Sequence, residues 1–535
     1  MSSTIAAATA LPRMGVVEAA LARASSARPA VVAPARGGRA APHSYAQLLR
    51  DAVAVRRLLA KRSAAAQRAD AAESRVALLM PRGYDFAASL CGAWCAGGIA
   101  VPLCTSHPPN ELGYTIRDSG ADTVLFHPHF APQIDALRPE FPSVRWISSD
   151  EFPDSSAVDV SSIQLTDFDK SRGALLIYTS GTTGKPKGVF LSHRSVEAHA
   201  TSLLSAWRWT SNDHILHVLP LHHTHGLVNA LLCALWSGAT CEFTPDTKFS
   251  AADIWSRWME PQRDLSLFMA VPTIYAKLAA HYDTMSPEDK QRATEACSQF
   301  RLMVSGSSAL PQVVAEKWRA ISGHELLERY GMTEVGMALG NPIDGPRVLG
   351  EVGVPFSGVE ARIVNPDTGA DLTASPNEPG HLQIRGPQVF DRYWGREEAT
   401  REAFSEPGHW FLTGDVACCT ERGTFKILGR ASVDIIKVGG YKISALDIER
   451  EILDHPDVAE VAVVGIPSTE WGERIGAIVV HKPATAGQLS LDSLRTWLAS
   501  RLAPYKLPTR LLIVDEIPKN AMGKVNKKEL VKLFN

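Results

Sequence analysis

Tyr178-Thr179-Ser180-Gly181-Thr182-Thr183-Gly184-Lys185-Pro186-Lys187-Gly188 is the stretch that decides how the rest of this chain is read. An apolar run at 174–177 precedes it and reads as a buried strand; a helical segment is expected to follow. The glycines let the backbone turn tightly and bring its N–H groups toward an anion. Thr and Ser hydroxyls add donors, and Lys185 and Lys187 add positive charge, so the loop suits phosphate groups. A flexible surface linker can share this composition. A Walker A loop is excluded, because that pattern needs four residues between Gly and Gly-Lys and a hydroxyl residue after the Lys. Here only Thr182 and Thr183 intervene, and Pro186 follows.

Around this loop the composition is that of an ordinary globular protein, with 45% hydrophobic and 21% charged residues. The 535 residues exceed one hydrophobic core, so two or more domains are expected. A formal net charge of −2 gives no bulk attraction to nucleic acid or to a membrane surface. The longest apolar stretch, 227–241, is interrupted by Asn229 and Ser237 and is too short for a bilayer span. The eight cysteines are scattered without a CxxC pair, which points to reduced thiols. Up to Arg50 the only acidic residue is Glu18, among several arginines, a bias that suits an organellar presequence. Residues 16–24 nevertheless read as a helix. The expectation is therefore a presequence-like segment at 1–13 and a fold from Met14 onward, in the cytoplasm or alternatively the mitochondrial matrix.

From 14 to 430, short β-rich runs alternate with helical patterns. Residues 75–80 and 121–126 read as strands, 84–95 as the helix between them, and Val196, Ala200, Leu203 and Trp207 recur at helical spacing. Such alternation predicts α/β layers with parallel strands. After Gly429-Arg430 a smaller α+β unit is expected over 431–535. Ser444 and Asp447 start a helix there, strands follow at 460–466 and 476–481, then a helix at 491–502 and a strand at 510–514.

Further motifs follow in order: Tyr330-Gly331-Met332-Thr333-Glu334, Trp410-Phe411-Leu412-Thr413-Gly414-Asp415, Ile427-Leu428-Gly429-Arg430 and Gly523-Lys524. Together with the first loop they resemble the adenylate-forming superfamily of acyl-CoA synthetases, luciferases and peptide-synthetase adenylation domains. The resemblance spans nearly the whole chain. It implies a large N-terminal domain and a mobile C-terminal lid, with ATP and CoA as co-substrates and Mg2+ as the metal. It implies that Thr179, Ser180, Gly181, Thr182, Thr183, Gly184, Lys185 and Lys187 hold phosphates. By the same resemblance Tyr330 stacks on adenine, Thr333 contacts phosphate and Glu334 coordinates Mg2+. Asp415 and Arg430 serve the ribose, Lys524 is the catalytic lysine carried by the lid, and Gly439 and Gly440 line the CoA channel. Lys519 is a bystander. Ser432 falls at the hinge, where many relatives have Asp or Lys, so the hinge role is carried over on position alone.

Leu219-Pro220-Leu221-His222-His223-Thr224-His225-Gly226-Leu227 bears on which acid is activated. On a strand the three histidines would point different ways, and neither HExxH spacing nor a Cys partner supports zinc. A polar pocket wall suits a small charged acid. Arg329, with its planar guanidinium, fits a carboxylate; the alternative is a structural Arg paired with Glu328. This segment, Val304-Ser305-Gly306-Ser307-Ser308-Ala309-Leu310 and Arg329-Tyr330-Gly331 are similar to malonyl-CoA synthetases. That similarity implies that His225, Ser305 and Arg329 surround the distal carboxylate of malonate. The expected partners are thus malonate, ATP and CoA, with no nucleic acid and no membrane span, and a monomer is compatible with them. The alternatives are a synthetase for methylmalonate, oxalate or a medium-chain fatty acid, or a luciferase-type oxidoreductase.

Overall fold

The structure, a computed structural model, describes residues 10–34, 40–61, 73–179, 185–244, 249–261, 264–438, 441–482, 489–519 and 525–534. Two large sheets form its body. One holds Arg145–Ser148, Thr123–Phe126, Arg75–Leu79, Ile99–Pro102 and Gly173–Thr179 in parallel order, then the antiparallel Lys187–Ser192 and Arg392–Tyr393. The other runs from Ala40–Ser44 through Pro29–Pro34, Thr240–Phe243, His214–His217, Leu267–Ala270, Leu302–Ser305, Leu327–Met332 and Gly336–Gly340 to Val354–Pro355. The central parallel strands are mostly apolar and buried, as in Ile99–Pro102 and Leu267–Ala270, in keeping with strands covered on both faces.

The helix Tyr84–Cys95 is apolar all round and buried from Phe86 to Cys95, so it lies in the core. Trp94 fixes it to the sheet, its indole N–H donating to the Ala174 carbonyl at 2.7 Å. Gly92 lets the neighbouring helix Tyr45–Lys61 approach, since a Cβ there would lie 2.4 Å from Val55. A third sheet, Glu360–Val364, Gly380–Arg385, Trp410–Cys419, Phe404–Ser405 and Phe425–Arg430, leads out of the body. Beyond it Ile435–Val438, Tyr441–Ser444, Val458–Ser468, Gly472–His481 and Arg510–Ile513 form a separate sheet. Ile436, Ile443, Ile448, Ile452, Val463, Ala477 and Leu494 give that sheet its own core. Its helix Ala445–Leu453 starts where the Ser444 hydroxyl accepts the Asp447 N–H at 3.2 Å. The fold is thus α/β with a large N-terminal and a small C-terminal unit. No helix among the described residues is long and apolar enough to cross a membrane.

Three expectations are corrected. The phosphate-loop motif does not pass directly into a helix. Lys187–Ser192 is a strand that folds back on Gly173–Thr179, pairing Lys187 with Thr179 and Val189 with Ile177, and the helix begins only at His193. Val189, Phe190 and Leu191 are buried by this pairing, which a helical reading of the segment would leave unexplained. The fold also reaches into the segment set apart as 1–13: Ala10–Pro12 pairs in parallel with Gln164–Thr166, and Leu11 is fully buried. Finally, the histidine segment is not a strand. It turns at 219–224 and enters a π-helix, His225–Leu232.

Candidate active site

The base of the phosphate-loop motif is anchored by the helix Pro109–Ser119. Tyr114 donates to the Pro186 carbonyl at 2.7 Å, and Tyr178 donates to Asp118 at 2.8 Å. Ser180, Gly181, Thr182, Thr183 and Gly184 lie outside the described residues. Thr179 ends one strand of the hairpin and Lys187 opens the other. Lys185 is exposed, its Nζ 5.6 Å from the Tyr114 ring centre. Lys187 Nζ lies 5.0 Å over the Tyr393 ring, and the Tyr393 hydroxyl donates to Glu334 at 3.0 Å. A cation and a carboxylate from different sheets thus meet on one tyrosine. Glu334 stands with Thr333 in the turn between Leu327–Met332 and Gly336–Gly340 and is buried.

Next to this turn, the Tyr330 hydroxyl donates to Asp415, which also pairs with Arg430 Nε at 3.0 Å. Gly414 has φ +74°, and a Cβ there would lie 3.2 Å from Arg430 Nη1. The bend it allows aims Asp415 inward, and Arg430 Nη1 closes it by donating to the Thr413 carbonyl at 2.7 Å. Tyr330, Thr333, Glu334, Asp415 and Arg430, distant in sequence, are therefore brought together by three strands and the turn that follows the first of them. A buried Asp beside an Arg can accept sugar hydroxyls, and a buried carboxylate facing a lysine can hold a hard divalent cation.

The second half of the site lies behind Arg329, which is 4% exposed. Its Nη2 donates to the Ser307 hydroxyl at 3.4 Å, and the same hydroxyl lies 3.2 Å from His225 Nδ1. Gly306 makes the approach possible, because a Cβ there would stand 2.5 Å from Arg329 Cζ. Ser307 itself takes φ +70°, a backbone state that costs a non-glycine residue about 1–3 kcal/mol and is found at ligand sites. Ser305 is fully buried. Arg329 Nε, His225 Nε2 and Ser305 Oγ have no hydrogen-bond partner among the described residues. Burial lowers the Arg329 pKa to about 9, and burial with the Arg329 charge pushes His225 well below its ordinary value. Orphaned donors around an uncompensated buried cation define a place for an anion.

Glu328 does not neutralise Arg329. Strand alternation turns it to the other face, where it accepts the Gly350 N–H at 3.0 Å and burial raises its carboxyl to about 7. The three histidines also separate. His225 faces Ser307, whereas His222 lies tilted against His223 with ring centres 4.1 Å apart, and His107 and His222 together lower the pKa of the Cys104 thiol. Ser307, Tyr393 and Cys104 were not expected. Ser307 lies within the Val304–Leu310 motif, but nothing in its residue type reveals the left-handed backbone with which its hydroxyl meets Arg329 and His225. Ser432 is exposed in the turn 431–434, while Lys524, Gly439 and Gly440 lie outside the described residues. Lys519 Nζ is engaged by Glu460 at 2.6 Å.

A nucleotide-sized constellation beside a buried anion pocket, with a small second unit after Arg430, defines the class. The chain belongs to the AMP-binding enzymes: the family model matches residues 17–394, and that of the AMP-binding enzyme C-terminal domain matches 447–524. Within that family it is similar to a mitochondrial malonate–CoA ligase of Xenopus laevis, 46% identical over 484 residues covering 86% of this chain and 83% of the relative. It is also similar to a malonate–CoA ligase of Arabidopsis thaliana, 42% identical over 86% of this chain and 78% of that one. Among solved structures, ATP-bound MatB from Rhodopseudomonas palustris matches with a TM-score of 0.84 at 31% identity, covering 97% of this chain and 99% of that one.

Proposed function

We propose that the protein is an AMP-forming malonate–CoA ligase: malonate and ATP give malonyl-adenylate and pyrophosphate, and CoA then takes the malonyl group with release of AMP. The observation that carries the choice of acid is Arg329, buried without a carboxylate partner among the described residues, its charge felt by His225, while His225 and the buried Ser305 each keep a polar atom unpartnered there. A dicarboxylate can leave one carboxylate on Arg329 and present the other toward the nucleotide. A monocarboxylate of similar size would leave the guanidinium uncompensated. Ser307 serves as the shared hydroxyl that orients both His225 and Arg329.

In this reading Tyr330 flanks the adenine, Asp415 and Arg430 hold the ribose, and Thr179, Lys185, Lys187 and Thr333 face the phosphates. Ser180, Gly181, Thr182, Thr183 and Gly184 are assigned to the phosphates on their sequence alone. The buried Glu334 fits a hard cation, and Mg2+ held there would neutralise phosphate charge. Residues 431–535 act as a lid turning about Ser432, which brings Lys524 to the reacting carboxylate and α-phosphate in one orientation and Gly439-Gly440 to the CoA channel in the other. All eight cysteines are free and buried, which suits a reducing compartment, the cytoplasm or the mitochondrial matrix.

Arg329→Leu tests the acid assignment. It removes a charge-assisted contact and leaves an apolar wall, a loss of about 3–5 kcal/mol, or about 10²–10⁴ in kcat/KM for malonate. Activity on butyrate should rise relative to malonate. An unchanged malonate-to-butyrate ratio would remove Arg329 from the acid pocket.

A further inference from the structure

Asp434 uses both carboxylate oxygens at the crossover between the two units. Its Oδ2 accepts the backbone N–H of Arg430 at 2.9 Å, and its own N–H returns to the Arg430 carbonyl at 2.8 Å. Its Oδ1 meets Lys527 Nζ at 2.6 Å, and the same ammonium meets Glu449 Oε1 at 2.7 Å. Glu449 also accepts the Val463 N–H at 2.7 Å. The three side chains are 11–16% exposed, so the cluster is nearly dry. The backbone is packed hard against it, since a Cβ on Gly429 (φ +129°) would lie 2.5 Å from Asp434 Cβ.

Relative to well-packed apolar side chains, a buried ion cluster of this kind adds little net stability, because desolvation offsets the attraction. What it fixes here is geometry. Ser432 lies between Arg430 and Asp434, so the Oδ2 contact crosses the hinge, whereas the Oδ1 contact stays within the C-terminal unit. Rotation about residue 432 must break the first and can keep the second. On the far side, Lys527 opens the helix Lys527–Val531, three positions after Lys524. Just before that helix, Val525 forms an antiparallel bridge with Lys519. A path of short polar contacts therefore runs from the Arg430 backbone through Asp434 to Lys527.

We infer that Asp434 and Lys527 are positioning residues forming a latch across the hinge, which holds the lid orientation seen here. This rests on the ligase reading, in which the lid serves two half-reactions in two orientations. Breaking the latch should therefore change the balance between the half-reactions and not merely lower both.

The test combines amide hydrogen exchange of the apoprotein with separate rates for pyrophosphate release and for thioester formation from preformed adenylate. Asp434→Ala should speed exchange at the Arg430 amide and change the ratio of the two rates, each by about tenfold. Lys527→Met should shift the ratio in the same direction but by less, because Asp434 then loses the contact that fixes its carboxylate against the Arg430 N–H. Glu449→Gln removes a charge beside Lys527 without touching the hinge; it should lower Tm and leave the ratio within about twofold. Parallel loss of both rates in all three variants, following Tm, would overturn the latch, as would unchanged exchange at Arg430 in Asp434→Ala. The exchange measurement needs no substrate. Failure of the malonate reading would instead appear in the unmodified protein as no malonate-dependent pyrophosphate release, and exchange would still decide for or against the latch.

Discussion

At Arg329 and Glu328, adjacent residues of opposite charge face opposite sides of one strand and acquire opposite fates. Arg329 is turned to a pocket of orphaned donors, Glu328 to the backbone N–H of Gly350. The residue types made both legible as candidates, but period-two alternation decided between a clamp and a structural pair. Cys104 shows the opposite situation, a residue that looked inert in the sequence. Burial alone would raise its thiol pKa, but hydrogen bonds from His107 and His222 outweigh this and hold it down at about 5. The thiolate is then fully formed above about pH 6, and its alkylation rate should stay flat from about pH 6 to 8. An ordinary thiol would speed up about tenfold per pH unit over that range. Iodoacetamide labelling followed by mass spectrometry at Cys104 reads this directly, and a rate climbing with pH would contradict the assignment. His222→Ala should restore the climb.

Among elements, those with a strong period were legible and those set by close backbone contacts were not. The helix expected at 84–95 is Tyr84–Cys95, and the cap at Ser444 forms as its sequence suggests. The hairpin strand Lys187–Ser192 was hidden because its apolar run is short and abuts a genuine helix. The π-helix His225–Leu232 could not be read from periodicity either; its start depends on Gly226, where a Cβ would stand 2.2 Å from the Pro220 carbonyl oxygen. That obstacle is backbone and cannot swing aside. Gly226→Ala should therefore displace residues 219–225, lowering stability by about 1–3 kcal/mol and raising KM for the acid while leaving that for ATP in place. Thermal melts and paired KM values check it. An ordinary KM for malonate in this variant would mean that the loop does not shape the acid pocket.

For the whole molecule, the order of motifs along the chain foretold a large α/β body and a small C-terminal unit. Sequence could not give the convergence of Tyr330, Glu334, Asp415 and Arg430, because three strands and a turn from different parts of the chain supply it. The lid reading makes its own demand. Lys524→Ala should abolish adenylate formation while preformed malonyl-adenylate is still converted to malonyl-CoA, since the lysine serves only one lid orientation. Comparable loss in both half-reactions would place Lys524 outside that role. The central claim, that a buried guanidinium selects a small dicarboxylate for transfer to CoA, is tested most directly by pyrophosphate release. The unmodified protein is assayed with acetate, oxalate, malonate, methylmalonate, succinate and octanoate, with and without CoA. Malonate should give the fastest release among these acids, with malonyl-CoA and AMP accumulating when CoA is present. Acetate or octanoate outpacing malonate would contradict the account.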